Sequence, residues 1–116
     1  MRIQIGCDLV HVERFEKTVV RTGQVFLEKL FTPAELCQSV SLQSLAGYFA
    51  AKEATIKALE LEHGVWHAIQ VKKKESGRPY IILNQELMPQ GVLSSDVSIS
   101  HDGEYVMAIT QWLLAC

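Results

Sequence analysis

A chain of 116 residues with 48% hydrophobic and 21% charged side chains has room for one core, and its composition excludes disorder. Its net charge of −2 provides no global basic field, which argues against nucleic acid as a partner. An anionic ligand would have to be held by a local cluster.

Other classes fall away on the same grounds. No apolar run approaches the ~20 residues that a bilayer span requires. Cys7, Cys37 and Cys116 match no zinc spacing and make no disulfide framework. Asp8 arrives too early for a signal sequence. The expectation is a single cytoplasmic domain over residues 1–116 with no membrane partner. A chain of this size buries roughly 65% of its unfolded surface, which leaves a lone monomer little stability margin.

In chain order, Ile3, Ile5, Cys7 and Leu9 alternate with Gln4, Gly6 and Asp8, the period of a half-buried strand. The apolar set is expected to form its buried face, with Asp8 carried on the other. Val12, Phe15, Val19 and Val20 then recur at helical spacing until Gly23, and Arg14, Lys17 and Arg21 form a basic stripe opposite them. A short helix covers 25–30. Thr32-Pro33-Ala34-Glu35 combines a cap, a first-turn proline and the carboxylate of a capping box. Ser41 caps a longer helix predicted to run to about Leu61 and to end near Gly64.

The remainder reads as strands. Ile69 and Val71 alternate with polar neighbours, residues 76–79 make a turn, and 80–83 form a second short strand. Val97 and Ile99 alternate with Ser98 and Ser100, Asp102-Gly103 predicts a two-residue hairpin turn, and 105–113 return. One strand, then helices, then antiparallel strands make an α+β domain.

Chemistry concentrates in Phe49-Ala50-Ala51-Lys52-Glu53-Ala54-Thr55-Ile56-Lys57-Ala58. At about 100° per residue, Leu42, Leu45, Phe49, Ile56 and Leu59 gather on one side, with Lys52 inside that apolar arc. Glu53 stands on its edge, and Lys57 follows one turn later. The plain reading is a snorkelling lysine and an ordinary i,i+4 ion pair worth roughly 0.3–0.5 kcal/mol. The functional reading makes the cation in an apolar stripe a sign of an anionic ligand, and pairs Asp8 with Glu53 as oxygen ligands for Mg²⁺. His101 either ends a strand or donates to a phosphate at the open end of the sheet. Gly64 lies between His63 and His67 at a helix end, which weakens them as a metal pair. The chain has no Gly-rich phosphate loop, Ser elbow or Cys-x-x-Cys.

Together these segments resemble the holo-acyl-carrier-protein synthase family of 4′-phosphopantetheinyl transferases. Gly6-Cys7-Asp8 with Glu13-Arg14 is similar to its G-x-D…R signature, and Phe31-Thr32-Pro33-Ala34-Glu35-Leu36 to its F-T-x-x-E-L step. Leu45-Ala46-Gly47 and Phe49 to Ala58 resemble its A-K-E-A-x-x-K-A helix. Gly77-Arg78-Pro79 and Ser98-Ile99-Ser100-His101 follow in the family's order. Five blocks in order, from about residue 3 to 110, are specific where any one would be weak.

The resemblance implies the α+β phosphopantetheinyl transferase fold and a homotrimer with coenzyme A in clefts between subunits. It implies Asp8 and Glu53 as Mg²⁺ ligands, and Lys57, His101 and Lys52 as coenzyme A contacts. Catalysis would fall to Glu53, Lys57 and Asp8. The implied reaction moves phosphopantetheine to a carrier-protein serine and releases 3′,5′-ADP, with Arg14, Lys17 and Arg21 docking the acidic carrier. Two departures stand out. Tyr48 replaces the arginine that commonly precedes the Phe-Ala-Ala-Lys-Glu block, and Glu60-Leu61-Glu62-His63-Gly64 replaces a glycine-rich turn. Both changes are expected to weaken coenzyme A binding. Three rival readings are a family member that binds coenzyme A or a carrier without transfer, an adaptor domain, and another Mg²⁺-dependent nucleotide-processing enzyme.

Overall fold

The computed structural model describes residues 1–38 and 41–116. Strand β1 (Arg2–His11) leads into helices α1 (Val12–Thr22), α2 (Gln24–Leu30), α3 (Pro33–Gln38) and α4 (Leu42–Leu59). Strands β2 (Ile69–Lys73), β3 (Pro79–Leu83), β4 (Val92–Asp102) and β5 (Tyr105–Leu114) follow. β1, β5 and β4 form an antiparallel sheet in that order, and β2 pairs with β3 in a separate hairpin. No helix among the described residues is long and apolar enough to cross a membrane.

Local chemistry explains the boundaries. The His11 ring accepts the Arg14 N–H at the start of α1, and Gly23, at φ +72°, ends it. Thr32 and Glu35 form the expected capping box: Glu35 Oε1 accepts the Thr32 N–H at 2.9 Å, and Thr32 Oγ1 accepts the Glu35 N–H at 3.3 Å. Ser41 caps α4 through the Ser44 N–H. The helix stops at Leu59, earlier than expected, because Glu60 itself takes the left-handed conformation at φ +52°. The β4–β5 turn is Gly103-Glu104, one residue later than the sequence suggested, since Asp102 still pairs with Tyr105 and Gly103 carries the positive φ.

Strand β1 corrects a second expectation. Gly6 and Val10 are the buried residues, while Ile3, Ile5 and Leu9 are 55–62% exposed. Across the strand, Leu9 pairs with exposed Met107 and exposed Cys7 with exposed Ile109, so the apolar side of the sheet faces outward and the side bearing Asp8 faces α4. Alternation located the two faces, but it could not tell which one this chain covers.

Helix α4 is buried almost all round, and not along one arc. Between Leu45 and Leu59 only Phe49, Glu53 and Lys57 keep substantial exposure, a single stripe with four-residue spacing. Phe49 therefore belongs to the open stripe, with Glu53 and Lys57. Beside that stripe Lys52 is fully buried, and its ammonium donates to Glu35 Oε1 at 2.7 Å, the Leu30 carbonyl at 2.8 Å and the Trp66 carbonyl at 2.9 Å. Glu35 Oε2 accepts the Val71 N–H at 2.8 Å. The pair ties α2, α3, α4, the segment around Trp66 and β2 together. Burial holds the Lys52 ammonium below the usual lysine range, against the opposing pull of Glu35.

Removing one partner of such a pair strands a buried charge. Lys52→Ala is expected to cost about 3–5 kcal/mol in urea unfolding, enough to leave much of the chain unfolded. A loss below about 1 kcal/mol would mean that the pair is dispensable.

Candidate active site

Glycine in a strand interior marks a close backbone approach. A Cβ added at Gly6 would collide with the Ala54 carbonyl and come within 2.6 Å of the Ala58 nitrogen. Gly6 and the small residues Ala54 and Ala58 thus let α4 lie directly on β1. Two residues along the strand, Asp8 enters the same region as Glu53 and Lys57.

A cleft of about 340 Å³ opens there, lined among others by Asp8, His11, Arg14, Phe49 and Glu53. Lys57 donates to Asp8 Oδ1 at 3.0 Å and to the Cys7 carbonyl at 3.1 Å. Its partner is Asp8, so the i,i+4 pairing with Glu53 expected from spacing gives way to a contact between helix and strand. That bond raises the Lys57 ammonium above its ordinary range. Burial pushes the Glu53 carboxyl up and the charge of Asp8 adds to the rise, while His63, the Trp66 indole and Lys57 pull it down. The Trp66 indole N–H is buried and close enough to influence Glu53, but it falls short of hydrogen-bond geometry.

This donor set fits a hard divalent cation. Two carboxylates share one partly buried cleft, the like charge of one disfavours ionisation of the other, and oxygen donors suit Mg²⁺. Asp8 and Glu53 are the residues that would hold it.

His101 lies elsewhere. It lines a second cleft of about 320 Å³ together with Tyr48, Lys73 and Ile99. That cleft adjoins β4, whereas the carboxylate cleft adjoins β1, and β5 separates the two strands. Within one chain, α4 therefore has a candidate site on each flank.

Lys52 is the site residue that must be reassigned. Its ammonium is shut off from solvent with three acceptors already in place, so it serves the core and has no free donor for coenzyme A. The anion that its position in an apolar arc called for is Glu35. Of the basic stripe on α1, Arg14 lines the carboxylate cleft, Arg21 is exposed, and Lys17 is paired with Glu13 at 3.0 Å. His67 lies 2.6 Å from the Glu28 carbonyl and His63 packs edge-on against Trp66, so the two histidines serve different neighbours.

The sequence reading passed over His11 and Trp66. His11 doubles as helix cap and cleft wall, and Trp66 is brought to Glu53 by its own carbonyl bond to Lys52. No spacing rule links residue 66 to residue 53. The strand glycine, by contrast, was a readable signal.

Comparisons with known proteins identify the family. Residues 4–110 match the family model of the 4′-phosphopantetheinyl transferase superfamily. A holo-[acyl-carrier-protein] synthase of Sulfurovum sp. (strain NBC37-1) is 34% identical, over 92% of this chain and 93% of its own. The crystal structure of the Helicobacter pylori holo-[acyl-carrier-protein] synthase in complex with coenzyme A superposes with a TM-score of 0.80 at 38% identity, covering 91% of this chain and 96% of that one. An ACPS–CoA complex from Chronobacterium ammoniagenes gives 0.84 at 30% identity over the whole of both chains. With its fold and nearly its full length in agreement, this chain belongs to the 4′-phosphopantetheinyl transferase superfamily.

Proposed function

We propose that this chain is a holo-acyl-carrier-protein synthase, one phosphopantetheinyl transferase domain over residues 1–116 acting in the cytoplasm. It moves 4′-phosphopantetheine from coenzyme A to a serine of an acyl carrier protein, with Mg²⁺, and releases 3′,5′-ADP. The observation that carries this reading is the meeting of Asp8 and Glu53 in one cleft where α4 crosses β1, with Lys57 bonded to Asp8. Relatives named for this activity, and neighbours solved with coenzyme A, support it.

Asp8 and Glu53 would hold Mg²⁺, which neutralises charge on the coenzyme A pyrophosphate when bound. Glu53, in the same cleft, accepts the proton of the serine hydroxyl. The serine oxygen forms a bond to the β-phosphorus, and the bond from that phosphorus to the bridging oxygen breaks. Its electron pair leaves with 3′,5′-ADP. Lys57, already held against Asp8, donates to phosphate oxygens as negative charge develops. Positioning and electrostatics supply the catalysis.

The outward apolar face of Ile3, Ile5, Leu9, Met107 and Ile109 calls for a cover, and a second copy of the chain is the occupant we favour. The assembly implied by the family resemblance is a homotrimer. It would allow the β1-side cleft of one copy and the β4-side cleft of another to share one coenzyme A. Arg14, at the cleft mouth, and the exposed Arg21 offer an acidic carrier its docking charge, and Lys17 joins them by leaving Glu13.

The test is intact-mass analysis of an apo acyl carrier protein incubated with the protein, coenzyme A and Mg²⁺. The expected result is a gain of one phosphopantetheine. Chelation should remove it, and Asp8→Ala or Glu53→Ala should slow it by about 10²–10⁴-fold without unfolding the chain. Near-normal turnover by folded Glu53→Ala would end the site assignment, and coenzyme A binding without any gain would point to a non-catalytic member. Gly6→Ala is expected to lift α4 from β1. Transfer should fall at least about tenfold, roughly the effect of an ångström-scale displacement, while circular dichroism still reports a folded chain. Unchanged transfer would show that the close approach does not position the site.

A further inference from the structure

The carboxylate cleft holds its two acids unequally. Asp8 is fixed by the Lys57 ammonium at 3.0 Å, whereas no side chain among the described residues holds Glu53 in hydrogen-bond geometry. Glu53 is half-buried and brings two acceptor oxygens. Near it lies the Trp66 indole N–H, a group that can only donate, buried without an acceptor. A buried donor left unpaired is destabilising, so its persistence calls for a reason. The indole is also braced from several directions. The Phe49 ring centre is 6.4 Å away, the His63 ring meets it edge-on at 5.6 Å, and the Lys29 ammonium sits 5.8 Å from its ring centre. The Trp66 carbonyl receives the buried Lys52 ammonium at 2.9 Å. Phe49, one turn before Glu53 on α4, lines the same cleft as Glu53. His63 comes from the Glu60–Gly64 turn, so that departure from the family pattern supplies one of the braces.

We infer that the Trp66 indole N–H is a positioning donor for Glu53: it takes one carboxylate oxygen and leaves the other for the cation and the serine hydroxyl. This rests on the function proposed above, which makes Glu53 metal ligand and base. The ring is the fixed partner and the carboxylate the mobile one, because neighbours brace the indole while Glu53 turns about its own side-chain bonds. Hydrogen bonds of this kind often tighten only when the substrate complex forms. Without the donor, a half-buried glutamate samples several rotamers, and small misplacements of a reacting group cost rate. With it, the two acids of the cleft are held alike, Asp8 by an ammonium and Glu53 by an indole. Trp66 acts through Glu53 and not on the substrates themselves.

The chain has two tryptophans, so a ¹⁵N–¹H spectrum contains two indole signals, and replacing either residue by Phe identifies them. The experiment records them in the intact protein with Mg²⁺ and coenzyme A. Glu53→Ala is expected to move the Trp66 signal upfield and to leave that of Trp112, buried elsewhere in the core, in place. Glu53→Gln keeps an acceptor oxygen and should bring the Trp66 signal back towards its wild-type position, whatever it does to the cation. In turnover, Trp66→Phe keeps the ring and removes the donor. It should lower kcat by roughly tenfold, the scale of one charge-assisted hydrogen bond, with KM for coenzyme A unchanged. In a Glu53→Ala background it should cost nothing further. A Trp66 signal unmoved by Glu53→Ala, or an equal loss from Trp66→Phe in both backgrounds, would overturn the inference. The two proposals fail separately, because the signals need no carrier. An upfield move in Glu53→Ala without modification of any carrier would sink only the transfer reaction. Transfer by an enzyme whose Trp66 signal ignores Glu53 would sink only this inference.

Discussion

Everything that this molecule brings together depends on how closely α4 approaches β1. At Gly6 the strand has no Cβ, and on the helix side Ala54 and Ala58 present backbone. The missing side chain allows a helix to lie against a strand with almost nothing between them. Two residues from that contact, Asp8 meets Lys57 at 3.0 Å and shares a cleft with Glu53. A larger residue at position 6 would separate the two elements whose side chains must act together.

The buried pair of Lys52 and Glu35 holds the other side of the same helix. Lys52 precedes Glu53 in the chain and projects about 100° round the helix from it, so the buried pair anchors the helix at the level where the candidate base reaches the cleft. The third Lys52 acceptor is the carbonyl of Trp66, whose indole approaches Glu53. One buried ammonium therefore orients the helix and the segment that completes the cleft wall. Such pairs contribute little net stability compared with apolar packing, but they penalise every arrangement that separates them. Here that penalty protects the geometry of the site.

Much of this was readable before any coordinates. The capping box at Thr32 and Glu35, the Ser41 cap, the strand alternations and the order of motifs led to the correct elements and the correct α+β class. The failures have one physical origin. Alternation in β1 separates an apolar face from a polar one, but an apolar face left open to solvent looks the same as a face buried in the core. Likewise, Lys52 in an apolar arc signalled an anion. Nothing local decides between a ligand and Glu35, which is 17 positions away. Local rules report what a residue needs, and the tertiary fold decides who provides it. The cleft beside β4 was hidden for the same reason, since Lys73 and Tyr48 meet only after the β2–β3 hairpin packs beside α4.

The two clefts lie on opposite flanks of α4, so our account requires one coenzyme A to draw on two chains. Subunit mixing tests this directly. Glu53→Ala lacks a carboxylate of the β1-side cleft, and His101→Ala lacks the imidazole of the β4-side cleft. The two would be mixed, dissociated and reassembled, and transfer to an apo carrier measured. The account predicts that the mixture is more active than either variant alone, because some interfaces join an intact β1-side cleft to an intact β4-side cleft. Activity no greater than the average of the two variants would contradict it and place the whole site within one chain.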